Sequence, residues 1–175
     1  EESGWPEELW NTIGELGVPK VLVSEDRGGM GGKWADAHVV VRRCGYACMP
    51  LPVPEIILAE WLAERSGIEL PDGPPGLIPY AISAEEVEDG SFSGNIARIS
   101  WGRDATYYLG ITTANELIAI AREGVEIECE ENLGHDPRDN VIFHHSPVIR
   151  RAFIALPPDG VRWLSALLRS AQIAG

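Results

Sequence analysis

The sequence predicts an α+β fold: an N-terminal helical domain, then a small antiparallel β-barrel or sandwich domain, then the first turns of a further helix. Three observations predict it. Apolar residues recur at helical spacing through roughly the first third of the chain. The stretch GIELPDGPPG at 67–76, with Pro71, Pro74 and Pro75 among Gly67, Gly73 and Gly76, denies both helix and central strand. Beyond it, short β-prone runs alternate with turn signals. The 175 residues suit one generous domain or two small ones, and the breaks are expected to divide them into 1–76, 77–158 and 159–175.

The first helix is expected to open at Pro6, which loses nothing at a first helical position, with Glu7 and Glu8 suited to the positive end of the helix dipole. Leu9, Ile13 and Leu16 then share a face, and Gly17 is a fitting stop. A second helix is expected from about Trp34, with Ala37, Val41, Cys44 and Cys48 on one stripe. A third is expected from near Pro54, carrying Ile57, Leu58, Trp61 and Leu62 before Gly67 ends it. Between the first two, EDRGGMGG at 25–32 is too rich in glycine for regular structure and reads as a flexible connection, with the lining of a ligand pocket as the alternative.

In the second part, β-prone runs stand at 77–83, 91–101, 106–111, 117–121, 125–130, 141–143 and 152–156. Turn signals such as Glu88-Asp89-Gly90, Arg122-Glu123-Gly124 and His135-Asp136-Pro137 separate them. From Asp159 or Gly160 the helical pattern returns, with Leu164, Leu167, Leu168 and Ala171 forming an apolar stripe. That stripe needs cover: either this helix docks back, or it opens a domain beyond residue 175.

Aspartate and glutamate number 27 against 14 lysines and arginines, a net charge of −13. Binding to nucleic-acid phosphates rests on basic side chains, so nucleic acid is excluded as an expected partner. No apolar run approaches the roughly 20 residues that span a bilayer, and no membrane partner is expected. Three cysteines without dense spacing argue against a disulfide framework and for a reducing, cytoplasmic setting.

Few motifs carry chemistry by themselves. GGMGGK at 28–33 invites a phosphate-loop reading, but Arg27 and Trp34 stand where that pattern needs glycine and Ser or Thr. Cys44 and Cys48 are one helical turn apart, yet their stripe is apolar and buried structural thiols are expected. His135, His144 and His145 with Cys129 have no ligand spacing, so no metal is assigned. There is no G-x-S-x-G elbow.

The segment at 9–67 carries Leu16-Gly17-Val18, then Ser24-Glu25-Asp26-Arg27-Gly28-Gly29-Met30-Gly31, then Gly45-Tyr46-Ala47-Cys48-Met49-Pro50. In this order it resembles the N-terminal helical domain of the acyl-CoA dehydrogenases, in which an "LGL"-like step, a "P-E-x-x-G-G-x-G" loop and a "G-R-x-x-x-P" corner follow one another. FSGNIARISWGRDATYYL at 92–109 and ENLGHDPRDNVIFHHSPV at 131–148 are similar to segments of that family's β domain. LSALLRSAQIAG at 164–175 resembles the opening of its C-terminal helical domain. The resemblance implies an FAD-dependent oxidoreductase that removes two hydrogens from the Cα–Cβ bond of an acyl-CoA thioester, working as a homo- or hetero-oligomer.

The resemblance also implies site residues. Tyr80-Ala81-Ile82-Ser83 is similar to the family's "Y-x-x-T-E", which puts the Ser83 hydroxyl at the polar edge of the flavin ring. Arg98-Ile99-Ser100 is similar to "W-I-T", which puts the Ser100 hydroxyl at flavin N5, with Arg98 where a tryptophan usually flanks the ring. Tyr80, Ile82, Ser83, Arg98 and Ser100 are therefore the expected cofactor contacts, and Arg98 and Ser100, two apart in a strand, are expected to share a face. Without the resemblance, each serine reads as a solvent-facing strand residue. The family's "E-P-x-x-G-S-D" loop is replaced by Ala84-Glu85-Glu86-Val87-Glu88-Asp89, whose acids would repel the anionic parts of FAD and CoA. The catalytic carboxylate is expected outside residues 1–175, so no catalytic residue is assigned within them. The alternatives are a non-catalytic partner subunit of a hetero-oligomeric dehydrogenase and a binding module that has lost flavin.

Overall fold

A computed structural model describes residues 4–156 and 159–173. Helices α1 (Glu7–Glu15), α2 (Trp34–Tyr46) and α3 (Val53–Ser66) precede strands β1 (Pro75–Leu77), β2 (Val87–Glu88), β3 (Ser91–Ser100), β4 (Tyr107–Ile111), β5 (Glu116–Ala121), β6 (Val125–Glu128) and β7 (Arg138–Phe153). Helix α4 (Gly160–Ile173) follows.

The helices stand where the periodicity puts them. Pro6 sits just outside α1, Glu7 and Glu8 fill its first turn, and Gly17 turns the chain away at a φ of 73° that favours glycine. Ala37, Val41 and Cys44 form the buried stripe of α2. Cys48 does not extend it: α2 ends at Tyr46 and Cys48 is exposed. Helix α3 is buried along most of its length, including the carboxylate-bearing Glu55.

The glycine loop is not a flexible connection. Its backbone folds back on the preceding turn, with Met30 N donating to Lys20 O, Gly31 N to Val23 O and Gly32 N to Val21 O at 2.8–3.1 Å. A Cβ on Gly29 would lie 2.1 Å from the Val23 carbonyl oxygen. Close backbone approach explains the glycine there.

The β part is a single open sheet in the order β1-β4-β5-β7-β3-β2, with β6 also paired to β7. It is mixed rather than wholly antiparallel, since β1 runs parallel to β4. It does not close into a barrel. The two expected runs at 141–143 and 152–156 belong to one sixteen-residue strand, β7. This strand pairs with β3 and β6 through its first half and with β5 through its second. Pro147, which lacks an N–H, sits where β7 passes from one set of partners to the other, so the proline does not end the strand. Asp89-Gly90 closes the tight β2–β3 hairpin, in which Glu88 pairs with Ser91.

Strand alternation sorts the core into two apolar clusters. Tyr107, Leu109, Ile111, Leu117 and Ala119 face α1–α3. Tyr108, Ile118 and Ile120 face the opposite way and meet Phe92, Ile96, Ile99, Val141 and Phe143 from β3 and β7. The edge-to-face pairs Phe92–Phe143 and Tyr108–Phe143, with ring centroids 5.0 Å apart, fasten the second cluster.

The closing helix docks back. Helix α4 lies against α2 and α3, with Leu164 on the helical core and an Arg169–Glu55 ion pair at the contact. Only part of the expected stripe is covered, because Leu167 is 52% exposed. The side chains of Leu168 and Ala171 lie outside the described residues.

Candidate functional site

The segment leaving β1 is held beside β4 without forming a strand. Ile78 N donates to Leu109 O, Ile82 N to Ile111 O, and Thr113 N to Ile82 O, each at 2.8 Å. The Ile82 side chain is buried in the second apolar cluster. Ile82 therefore positions its neighbours rather than presenting a side chain to a ligand.

Ser83 follows and caps a short 3₁₀ turn at Ala84–Glu86. Its hydroxyl oxygen accepts from Glu85 N at 3.3 Å, and Ser83 N donates to Glu86 Oε2 at 3.1 Å. The reciprocal pair is a capping box. Ala84 N donates to Thr113 Oγ1, which ties the turn to the end of β4. Around it Glu85, Glu86, Glu88 and Asp89 are all exposed.

Tyr80 bridges this segment to β3. Its ring is 40% exposed, and its hydroxyl accepts from Ala97 N at 3.2 Å. Next to Ala97 the ladder between β3 and β7 shifts register between Ile96 and Ile99, and Arg98 takes a positive φ of 63°. A bulge of this kind adds a residue and breaks strand alternation. Arg98 and Ser100 therefore do not share a face: Arg98 is exposed, while Ile99 and Ser100 are both buried. The backbone N–H of Arg98 is held by Asn140 Oδ1.

Ser100 is 3% exposed, which overturns the solvent-facing reading for this serine. It pairs in register with Arg138, whose Nη1 donates to Ser100 Oγ at 2.7 Å and to Pro137 O at 2.7 Å. Burial pulls the Arg138 guanidinium below the usual arginine range. The charges of Arg169 and Arg98 act in the same direction, against Glu55 and Asp136.

One position along β7, Asp139 is fully buried. It accepts from Arg103 N at 2.7 Å, Arg103 Nε at 3.0 Å, Arg103 Nη2 at 2.7 Å and Glu130 N at 3.1 Å. These bonds hold Arg103 above its ordinary pKa and lock the turn after Ser100. Tyr108, buried close by, donates to Gly102 O at 2.9 Å, and burial pushes its hydroxyl up to about 12. Sequence reading missed Arg103, Arg138 and Asp139. The available signal was two charged residues placed side by side at the start of a strand that is otherwise apolar at every second position.

The structure thus joins the two serine segments through Tyr80 and Ala97. In their recorded bonds both hydroxyls act as acceptors, which leaves one proton each to donate. A cavity of about 770 Å³ lies elsewhere, lined by α1, α3 and the 68–75 linker with Lys20, Arg27, Glu60 and Tyr107.

Known proteins share parts of this sequence and its fold. Residues 1–66 match the family model described as acyl-CoA dehydrogenase, N-terminal domain. A 60-residue stretch is 38% identical to the acyl-CoA dehydrogenase IpdE2 of Mycobacterium tuberculosis, covering 34% of this chain and 19% of that protein. In fold, the chain is similar to the ChsE4-ChsE5 complex from Mycobacterium tuberculosis, with a TM-score of 0.71 at 18% identity over 98% of this chain and 54% of that one. It is similar also to the acyl-CoA dehydrogenase from Geobacillus kaustophilus, with a TM-score of 0.68 at 15% identity over 96% of this chain and 56% of that one. The chain spans about half the length of these solved structures and matches a smaller share of the curated relative. Residues 1–66 are thus similar to the N-terminal domain of the acyl-CoA dehydrogenases, and the helices and sheet together share the fold of a solved acyl-CoA dehydrogenase.

Proposed function

We propose that this chain supplies part of an FAD-dependent oxidoreductase that dehydrogenates an acyl-CoA thioester, with its parts at 1–76, 77–158 and 159–175 contributing to one flavin-binding wall. The observation that carries the reading is the state of the two serines. Ser100 is held as an acceptor by Arg138, and Ser83 as an acceptor by Glu85 N. Each keeps a hydroxyl proton for an acceptor on the polar edge of a flavin. FAD, when bound, supplies acceptance of a hydride equivalent from the substrate. The chain's own work is placement. Ile82 fixes the height of Ser83 against β4, the bulge at Arg98 turns Ser100 inward, and the Asp139–Arg103 lock holds the following turn. No residue among 1–175 is assigned the proton-abstracting role in this reading.

A second reading is favoured by one observation: the exposed acids at Glu85, Glu86, Glu88 and Asp89. Anions are repelled there, which suits a subunit that partners a catalytic chain without itself holding acyl-CoA. One of the similar folds is described as a complex of two proteins.

The test is FAD titration of the full-length protein, followed by flavin fluorescence and visible absorbance, with Ser100→Ala beside it. Bound flavin with a spectrum altered by Ser100→Ala is the expected result. A protein that never takes up FAD, or an unchanged spectrum in the variant, overturns the assignment. Binding of FAD without binding of acyl-CoA selects the partner-subunit reading.

A further inference from the structure

We infer that the cavity between α1, α3 and the 68–75 linker binds a primary amine carried on a short apolar body, with Glu60 and Tyr107 receiving the ammonium group. Its volume of about 770 Å³ lies within the roughly 300–1,000 Å³ of small-molecule sites. None of Tyr80, Ile82, Ser83, Arg98 and Ser100 lines it, so the site stands apart from the flavin reading. The wall is largely apolar: Ile56 of α3 is buried, and Trp10 of α1, Ile68 and Leu70 are partly buried. Two polar groups interrupt it. Tyr107, the first residue of β4, lines the cavity while only 2% exposed, and its hydroxyl makes no hydrogen bond among the described residues. Buried tyrosine hydroxyls normally have a partner. Tyr108, one residue on and facing the other way, has one in Gly102 O at 2.9 Å.

The second polar group is Glu60, half-buried on α3, whose carboxylate has neither a hydrogen bond nor an ion pair among the described residues. Burial raises its pKa, with the charge of Lys20 opposing. Burial, and then the charge of Glu60, hold the Tyr107 hydroxyl above its ordinary range. The two groups thus feel one another across the cavity without bonding. A carboxylate drawn out of water without a partner costs stability. Charge selects the partner. Glu64, whose carboxylate accepts from Ser24 N at 2.8 Å, lines the cavity with the exposed Asp26, Glu69 and Asp72, against the exposed Lys20 and Arg27. With Glu60 the acids number five and the bases two, a balance that repels anions and draws cations. An ammonium group has three donors and no acceptor, which suits a carboxylate and a phenol oxygen that both lack donors. The apolar wall covers the body that carries it.

The experiment is isothermal titration calorimetry of the full-length protein with phenethylamine. Beside it run 2-phenylethanol and 3-phenylpropionate, which keep the apolar body and change the head group, all at one pH and ionic strength. Saturable binding of phenethylamine is expected, with the alcohol and the acid at least roughly tenfold weaker. Glu60→Gln should abolish binding, and Tyr107→Phe should weaken it roughly fivefold. Glu123→Gln, which removes the same charge from an exposed turn outside the cavity, should leave it unchanged. Glu60→Gln keeps the size of a half-buried side chain, so it carries the test even where Tyr107→Phe unfolds, and circular dichroism reports the fold of each variant. An absence of saturable heat from phenethylamine, equal affinity for the alcohol, tighter binding of the acid, or a wild-type titration from Glu60→Gln would overturn the site.

Discussion

Ser83 and Ser100 carry the same hydroxyl, and the protein treats them in opposite ways. Ser83 lies on an exposed turn among four acids, and its bonds are local, reaching Glu85 and Glu86. Ser100 lies in a buried ladder beside arginines, and its bond reaches 38 residues along the chain to Arg138. A local bond is replaced easily by water, while a buried charge-assisted one is not. The difference teaches that a hydroxyl's role is set by what answers it. The Ser83 end is negative and adaptable, and the Ser100 end is positive and rigid.

The largest effect should come from breaking the rigid end at its anchor. Asp139→Ala removes the acceptor of three Arg103 bonds and of Glu130 N, leaving a guanidinium without its partner. A loss of roughly 3 kcal/mol is expected in urea unfolding, and a loss under 1 kcal/mol would show that the lock is ornamental. Next comes the direct comparison of the serines. Ser100→Ala strips Arg138 of a hydrogen bond and should cost about 2 kcal/mol. Ser83→Ala removes only the cap of a short turn and should cost about 0.5–1 kcal/mol. Equal values from denaturant midpoints would erase the contrast between the two ends.

The smallest effect extends the contrast from hydroxyls to acids. Burial raises the pKa of Glu60, with Lys20 opposing. A raised carboxyl contributes most to stability below its unfolded-state value, and that contribution is lost as pH rises through the folded value. Glu60→Gln should therefore raise Tm modestly at neutral pH, and the gain should vanish on acidification below about 4.5, the ordinary carboxyl value. The exposed Glu85→Gln should show no such crossing. A pH-independent gain in Glu60→Gln would assign the effect to packing.

Most of the helical architecture is legible in the sequence because its signals are local. Gly17 and Gly67 end α1 and α3 in left-handed conformations, and Asp89-Gly90 turns its hairpin. What is illegible depends on distant partners. The bulge at Arg98 has no composition mark, and it decides that Ser100 faces inward. The parallel pairing of β1 with β4 needs a partner some thirty residues on. The passage of β7 through Pro147 is invisible until both sets of neighbours are known. The polar centre built on Arg138 and Asp139 is hidden for the same reason, since Arg103, Ser100 and Glu130 come from other segments.

Strand β7 also dictates when the molecule is able to finish folding. It is the member shared by both halves of the sheet. Until residues 138–153 emerge, β3 and β6 have no common neighbour, β5 has one bare edge, and the second apolar cluster lacks Val141 and Phe143. Assembly of the sheet therefore waits on β7, and is of the slow kind that long-range pairing imposes. A nascent chain halted at residue 137 should bind a dye such as ANS strongly and resist proteolysis poorly, whereas one extended past residue 156 should do neither.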